Sequence, residues 1–192
     1  HNTGITLARH SDEQPTLIQL DPRVFAMNTQ GQQPVLELHG DVCQVHIQSG
    51  KNSLITVHVT VRHYQENPMP AINYRQSSDK NTLSIDEKLP PVVHPQTDSV
   101  LVDMTVPEHI DLSSHTEVGN LDISNVSGQL ELATATGSIS ATGVQFNGQS
   151  FLTTNVGTID FAGGFAPHGK YKMSTHVGSI NITPSGSPSL QV

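Results

Sequence analysis

The clearest order in this chain is a two-residue alternation of apolar and polar positions, the period of a strand with one buried face. It is strongest over residues 42–48, where Cys43, Val45 and Ile47 share one side, and over residues 54–62, where Ile55, Val57, Val59 and Val61 do the same. Ser49-Gly50-Lys51-Asn52-Ser53 lies between them, so the two segments read as a hairpin with Ile47 opposite Ile55. Shorter strands are expected at residues 16–20, 23–27, 35–39, 72–75, 82–86 and 99–106, the last ended by Pro107, which cannot donate to a ladder. Residues 66–71 carry Pro68 and Pro70 and break the pattern, and residues 89–98, with three prolines, read as a loop.

From Leu112 onward the alternation becomes a repeat of about 20 residues, the mark of stacked units that bury one continuous core. Aligned on glycine, the units are Thr116-Glu117-Val118-Gly119-Asn120-Leu121-Asp122-Ile123, the run from Thr134 to Ala141 around Gly137, the run from Thr154 to Phe161 around Gly157, and the run from Thr175 to Ile182 around Gly178. The columns Leu121/Ile139/Ile159/Ile180 and Ile123/Ala141/Phe161/Ile182 are expected to face inward. So are Val118/Thr136/Val156/Val177 and Thr116/Thr134/Thr154/Thr175, the last with hydroxyls bonding along the stack. Glycine at each corner allows a bend where a side chain would clash. The predicted fold class is therefore all-β. Antiparallel strands in an N-terminal region, residues 1–106, pack on and lead into a short β-solenoid or β-roll over residues 107–192, and together they form one continuous domain. A meander of antiparallel hairpins is the alternative.

The outward columns are small and polar. Glu117, Asp122, Asn155, Asp160, His176 and Asn181 are the candidate ligand-binding residues, on a face suited to a glycan or a surface protein.

Composition narrows the function. Charged residues make up only 14% and the formal charge is −8, which argues against nucleic acid as a partner. Protonating all eleven histidines would carry −8 to +3, so the surface potential is expected to change sharply between about pH 5 and 7. No run approaches ~18 apolar residues, so no membrane insertion is expected within this sequence. The single cysteine, Cys43, excludes an intrachain disulfide and alternates in register as a buried residue rather than a reactive thiol.

The strand Val102-Asp103-Met104-Thr105-Val106-Pro107, the segment Ile110-Asp111-Leu112, the Thr-x-Val-Gly-x-Ile-x-Ile run and the Gly40-Asp41-Val42 strand resemble the bacterial putative-adhesin family. That resemblance implies an exported β domain at the cell surface or in the periplasm, anchored by a segment outside this sequence. It supplies no catalytic residues.

Enzyme chemistry finds little footing. No Gly-x-Ser-x-Gly elbow and no phosphate-binding glycine loop occurs. A glycan-cleaving enzyme would need paired carboxylates, for which Asp122 and Asp160, about 10 Å apart at two strand spacings, are the candidates. They lack aromatic neighbours for a sugar. His46 and His58, placed diagonally by the hairpin register, are too few for a closed zinc site, so no metal and no cofactor is expected. The sequence points to a non-enzymatic extracytoplasmic binding module. A tethered sensor or scaffolding domain of a membrane protein is the alternative.

Overall fold

The computed structural model describes residues 13–91 and 95–185. Residues 1–12, 92–94 and 186–192, which fall in the expected N-terminal region, the loop at 89–98 and the repeat region, lie outside the described residues.

The longest strand, β3 (Val35–Gly50), organises the molecule. Leu36 and Leu38 are buried in its first half, and Cys43, Val45 and Ile47 in its second. The buried parity slips by one residue at Asp41-Val42, where the chain turns a corner. Sixteen residues reach into two walls of one sheet, so the segments expected as separate strands at 35–39 and 42–48 are continuous.

Before β3, β1 (Thr16–Gln19) and β2 (Arg23–Ala26) both pair antiparallel with β4 (Leu54–His63). Then come β5 (Ala71–Gln76), β6 (Thr82–Lys88) and β7 (Ser99–Pro107). The repeat region supplies β8 (Asp111–Val118), β9 (Leu121–Ser124), the two-residue β10 (Ser127–Gly128), β11 (Leu130–Thr136), β12 (Ile139–Phe146), β13 (Gln149–Val156), β14 (Ile159–Phe165), β15 (Lys170–Val177) and β16 (Ile180–Pro184).

The main path of the sheet runs β15-β13-β11-β8-β3-β9-β12-β14-β16, nine strands each parallel to its neighbours. Its two ends, β15 and β16, follow one another in the chain, so the sheet is a mostly parallel, nearly closed barrel. This corrects the expected antiparallel N-terminal half leading into a β-solenoid, and it rules out the meander. The N-terminal strand β3 is the centre of the parallel path, flanked by β8 and β9 from the C-terminal half. Among the described residues, antiparallel pairing is confined to β1 and β2 on β4, β4 on β7, and β5 on β6.

The expected hairpin does not form either. β7 lies between β3 and β4, parallel to the first and antiparallel to the second, so Ile47 and Val57 both face Met104. Alternation specifies which face of a strand is buried, but not which strand becomes its neighbour or in which direction.

The corners of the C-terminal repeat are made by glycine. Gly119, Gly137, Gly157 and Gly178 have φ of +147°, +150°, +155° and +145°. A Cβ on Gly137 would lie 2.0 Å from the Gly119 carbonyl oxygen, so no other residue fits without moving the backbone. The corner also explains a second correction. Thr116, Thr134 and Thr154 are buried as expected and Thr175 is half-buried, but Val118, Val156 and Val177, two residues beyond Thr116, Thr154 and Thr175, are 46%, 44% and 57% exposed. The chain rotates between threonine and glycine, so strand parity fails there and the valine column faces solvent.

Leu121, Ile139 and Ile159 fill the core in register, joined by Ile123, Ala141 and Phe161. Ile180 and Ile182 close these columns at the open end and remain partly exposed. At the opposite corner Phe146 and Phe161 stand 4.6 Å apart between ring centroids, with Phe165 and Tyr171 packed on them.

Candidate functional site: a polar trough across one wall

Strands β8, β11, β13 and β15 form one wall, and their outward residues alternate with the buried series. The middle of that outer face is made of small side chains, Ala133, Ala135 and Thr153, because the residues between the inward Leu132, Thr134 and Leu152 are short. Longer side chains surround them, which leaves a groove of about 470 Å³ reaching from His115 and Glu117 to Asn155 and His176. A second hollow of about 350 Å³, bordered by Glu131, Phe151 and Lys172, shares His115, Ala133, Thr153 and Ser174 with it. The two form one continuous polar trough.

Its lateral order follows the register. Glu131, Phe151 and Lys172 are successive partners, so a half-buried aromatic ring sits between a carboxylate and an ammonium. His115 Nε2 lies 3.6 Å from Glu131 Oε1, and the His39 and His115 rings, cross-strand partners on β3 and β8, are 5.5 Å apart between centroids.

Of the six residues expected to bind ligand, the structure brings Glu117, Asn155 and His176 together along this trough. Asp122, Asp160 and Asn181 lie on the other wall, formed by β9, β12, β14 and β16. There they stand in one row with Ser140, and Asn181 Nδ2 donates to Asp160 Oδ1 at 2.8 Å. The six therefore belong to two faces, because the chain crosses a corner at each glycine. Ser140 separates Asp122 from Asp160 by two strand spacings, roughly 10 Å, at the wide limit for an inverting carboxylate pair.

That same row continues through His46 and Asp103 to His58. His46 and His58 are thus not diagonal neighbours: Asp103 stands between them, with His46 Nδ1 3.2 Å from its Oδ1.

Phe151, Glu131 and Lys172 escaped an alignment centred on the glycines, which followed the residues flanking each corner. The signal was present: Leu130, Leu132 and Leu152 are inward, so their neighbours Glu131 and Phe151 must point out.

Two polar clusters are buried instead of displayed. Beside the β3 corner, Glu87 Oε2 accepts from the Asp41 N–H, and Glu87 Oε1 has no partner among the described residues. Burial pushes its carboxyl up to about 7, with hydrogen bonds from Asp41 and Val42 N–H opposing and the Asp41 charge reinforcing the rise. Burial first, and the Glu87 charge second, push the neighbouring Cys43 thiol well above its ordinary range, so it is protonated and inert. Near the end of β4, Asp98 accepts from Tyr64 N–H and Asn67 Nδ2 and meets His63 Nδ1. Burial works against its ionisation, but these contacts together outweigh it and hold the carboxyl below its usual range. This cluster ties the turn after β4 to the entry of β7.

No family model matches this sequence, and no curated protein matches it. Solved structures do resemble the fold. One, described as a putative cell adhesion protein from Clostridium sporogenes, aligns over 90% of this chain and 100% of its own at 9% identity, with a TM-score of 0.58. Putative adhesins from Parabacteroides merdae and Bacteroides fragilis align over 88% and 87% of this chain and 81% and 97% of their own. Both are 13% identical, with TM-scores of 0.37. At 9% identity the Clostridium likeness establishes a shared fold and nothing finer. Among the described residues no helix is long and apolar enough to cross a membrane.

Proposed function

We propose that this chain is a non-enzymatic, extracytoplasmic binding module of adhesin type that takes up a glycan along the trough. The observation that carries this reading is the trough itself. A floor of Ala133, Ala135 and Thr153 lets a flat chain approach the backbone. The Phe151 ring offers an apolar plane, and Glu117, Glu131, Asn155 and His176 offer hydrogen-bonding groups around it. Pyranose rings present that same combination, an apolar face bounded by hydroxyls, and polar groups around an apolar floor orient such a ligand. The shared fold with a chain described as a putative cell adhesion protein supports the assignment at the level of architecture.

The test is an array of glycans and extracellular proteins probed with a labelled, multivalent form of the chain at pH 5.5 and 7.5. Glycan binding abolished in Phe151→Ala and reduced in Asn155→Ala is the expected result. Silence toward glycans at both pH values, or glycan binding indifferent to both substitutions, overturns it. Binding confined to proteins moves the assignment to a protein-recognition module.

A further inference from the structure

The trough ends in a histidine–carboxylate cluster of which its sugar-binding reading uses only Glu131. His39 on β3 and His115 on β8 are direct cross-strand partners, their rings 5.5 Å apart between centroids. On the far side of His115, Glu131 Oε1 comes within 3.6 Å of the imidazole Nε2. On the far side of His39, its partner on β6 is Asp86. Four adjacent parallel strands thus present carboxylate, imidazole, imidazole and carboxylate in succession. They come from residues 39, 86, 115 and 131, whose sequence separation hides the grouping.

We propose that His39, His115 and Glu131 form a binding site for a divalent transition-metal ion of the zinc type, with Asp86 available as a fourth ligand. Parallel strands lie about 4.8 Å apart, which sets two imidazoles side by side at a spacing that a single ion can bridge with metal–nitrogen bonds of about 2.0–2.1 Å. Two nitrogens with one or two carboxylate oxygens suit zinc, nickel or copper, whereas calcium and magnesium take oxygen ligands. Among the described residues no group of three or more His, Cys, Asp or Glu side chains is arranged to hold a metal ion as they stand. The side chains of His115 and Glu131 are 42% and 56% exposed, and His39 is exposed as well. Closing the site therefore requires these exposed side chains to rotate about their own bonds toward one ion. The ion would join β3, β8 and β11, three strands from both halves of the chain, and would place a positive charge at the head of the trough.

The competing arrangement is His46 and His58 around Asp103 on the other wall, where the imidazoles stand two strands apart. Titrating the whole chain with zinc chloride by calorimetry, after chelator treatment, separates the two. The expected result is one saturable zinc ion per chain, weakened at least tenfold by His39→Ala and by His115→Gln and several-fold by Glu131→Gln. A His46→Ala/His58→Ala double variant should bind as the parent does. Because all these side chains face solvent, melting temperatures measured in chelator should agree among the variants, and zinc should raise that of the parent but not of His115→Gln. Absence of saturable binding, binding unchanged by the His39 and His115 substitutions, or binding lost only in the His46/His58 variant overturns the proposal. None of these readouts depends on a glycan, so they stand or fall apart from the sugar-binding assignment.

Discussion

The Thr154 hydroxyl donates to the Gly137 carbonyl oxygen at 2.8 Å, reaching from one turn of the wall to the corner of the turn before it. Thr134 does the same to Gly119 and Thr175 to Gly157, each at 2.9 Å. These corner carbonyls point into a region where the strand ladder is interrupted, and the threonine column supplies their donors. Thr154→Val keeps the shape and removes the donor, leaving a buried carbonyl with one partner fewer. The expected loss is about 1–2 kcal/mol, seen as a fall of roughly 2–8 °C in melting temperature. Thr175→Val, half-buried at the open end where water can replace the hydroxyl, should cost less. Equal losses for the two would show that burial does not set the cost.

Glu87 makes stability depend on pH with a sign opposite to that of most carboxylates. Its folded value is about 7 against an ordinary value of 4.5. Between those two pH values the folded chain holds a proton that the unfolded chain has released, so stability contributed by the neutral carboxyl is full below about 4.5 and is lost as pH rises toward 7. The loss is of order 1–3 kcal/mol. Glu87→Gln stays neutral throughout. Urea denaturation from pH 4.5 to 8 should show the two chains nearly equal at the acid end and the variant the more stable above pH 7. Curves that run parallel across the whole range would show that Glu87 ionises normally.

Ile159 has no exposed surface and packs in register between Ile139 and Ile180. Ile159→Asp puts an unpaired carboxylate in the middle of the apolar column, a change that costs more than a domain of this size holds in reserve. The expected outcome is a chain with no cooperative melting transition at neutral pH. Ile182→Asp, at the half-exposed end of the neighbouring column, should melt within a few degrees of the parent. Survival of the Ile159 variant with an unchanged melting temperature would contradict the inward placement of this column.

Alternation and repeat were enough, in the sequence alone, to identify most buried side chains: the Leu121/Ile139/Ile159 and Ile123/Ala141/Phe161 columns, the threonines beneath the corners, Cys43 among apolar neighbours, and the glycines that no other residue can replace. All are local statements, set by which face a side chain takes on a strand or by the space left for a Cβ. The outward placement of Glu117, Asn155 and His176 was legible on the same ground. Tertiary structure alone decided the rest. Val45 and Ile47 announce a buried face, but β7 rather than β4 comes to lie beside them, because a strand covered on both sides takes whichever neighbours close the apolar surface of the whole sheet. Val118 keeps the parity of Thr116 in the sequence and loses it at the corner, where the chain rotates before the glycine. For the same reason Asp122, Asp160 and Asn181 part company with Glu117 and face away from the trough. The juxtaposition of His39 with His115 depends on the pairing of β3 with β8 across 76 positions of the chain, a register that only closure of the parallel sheet imposes.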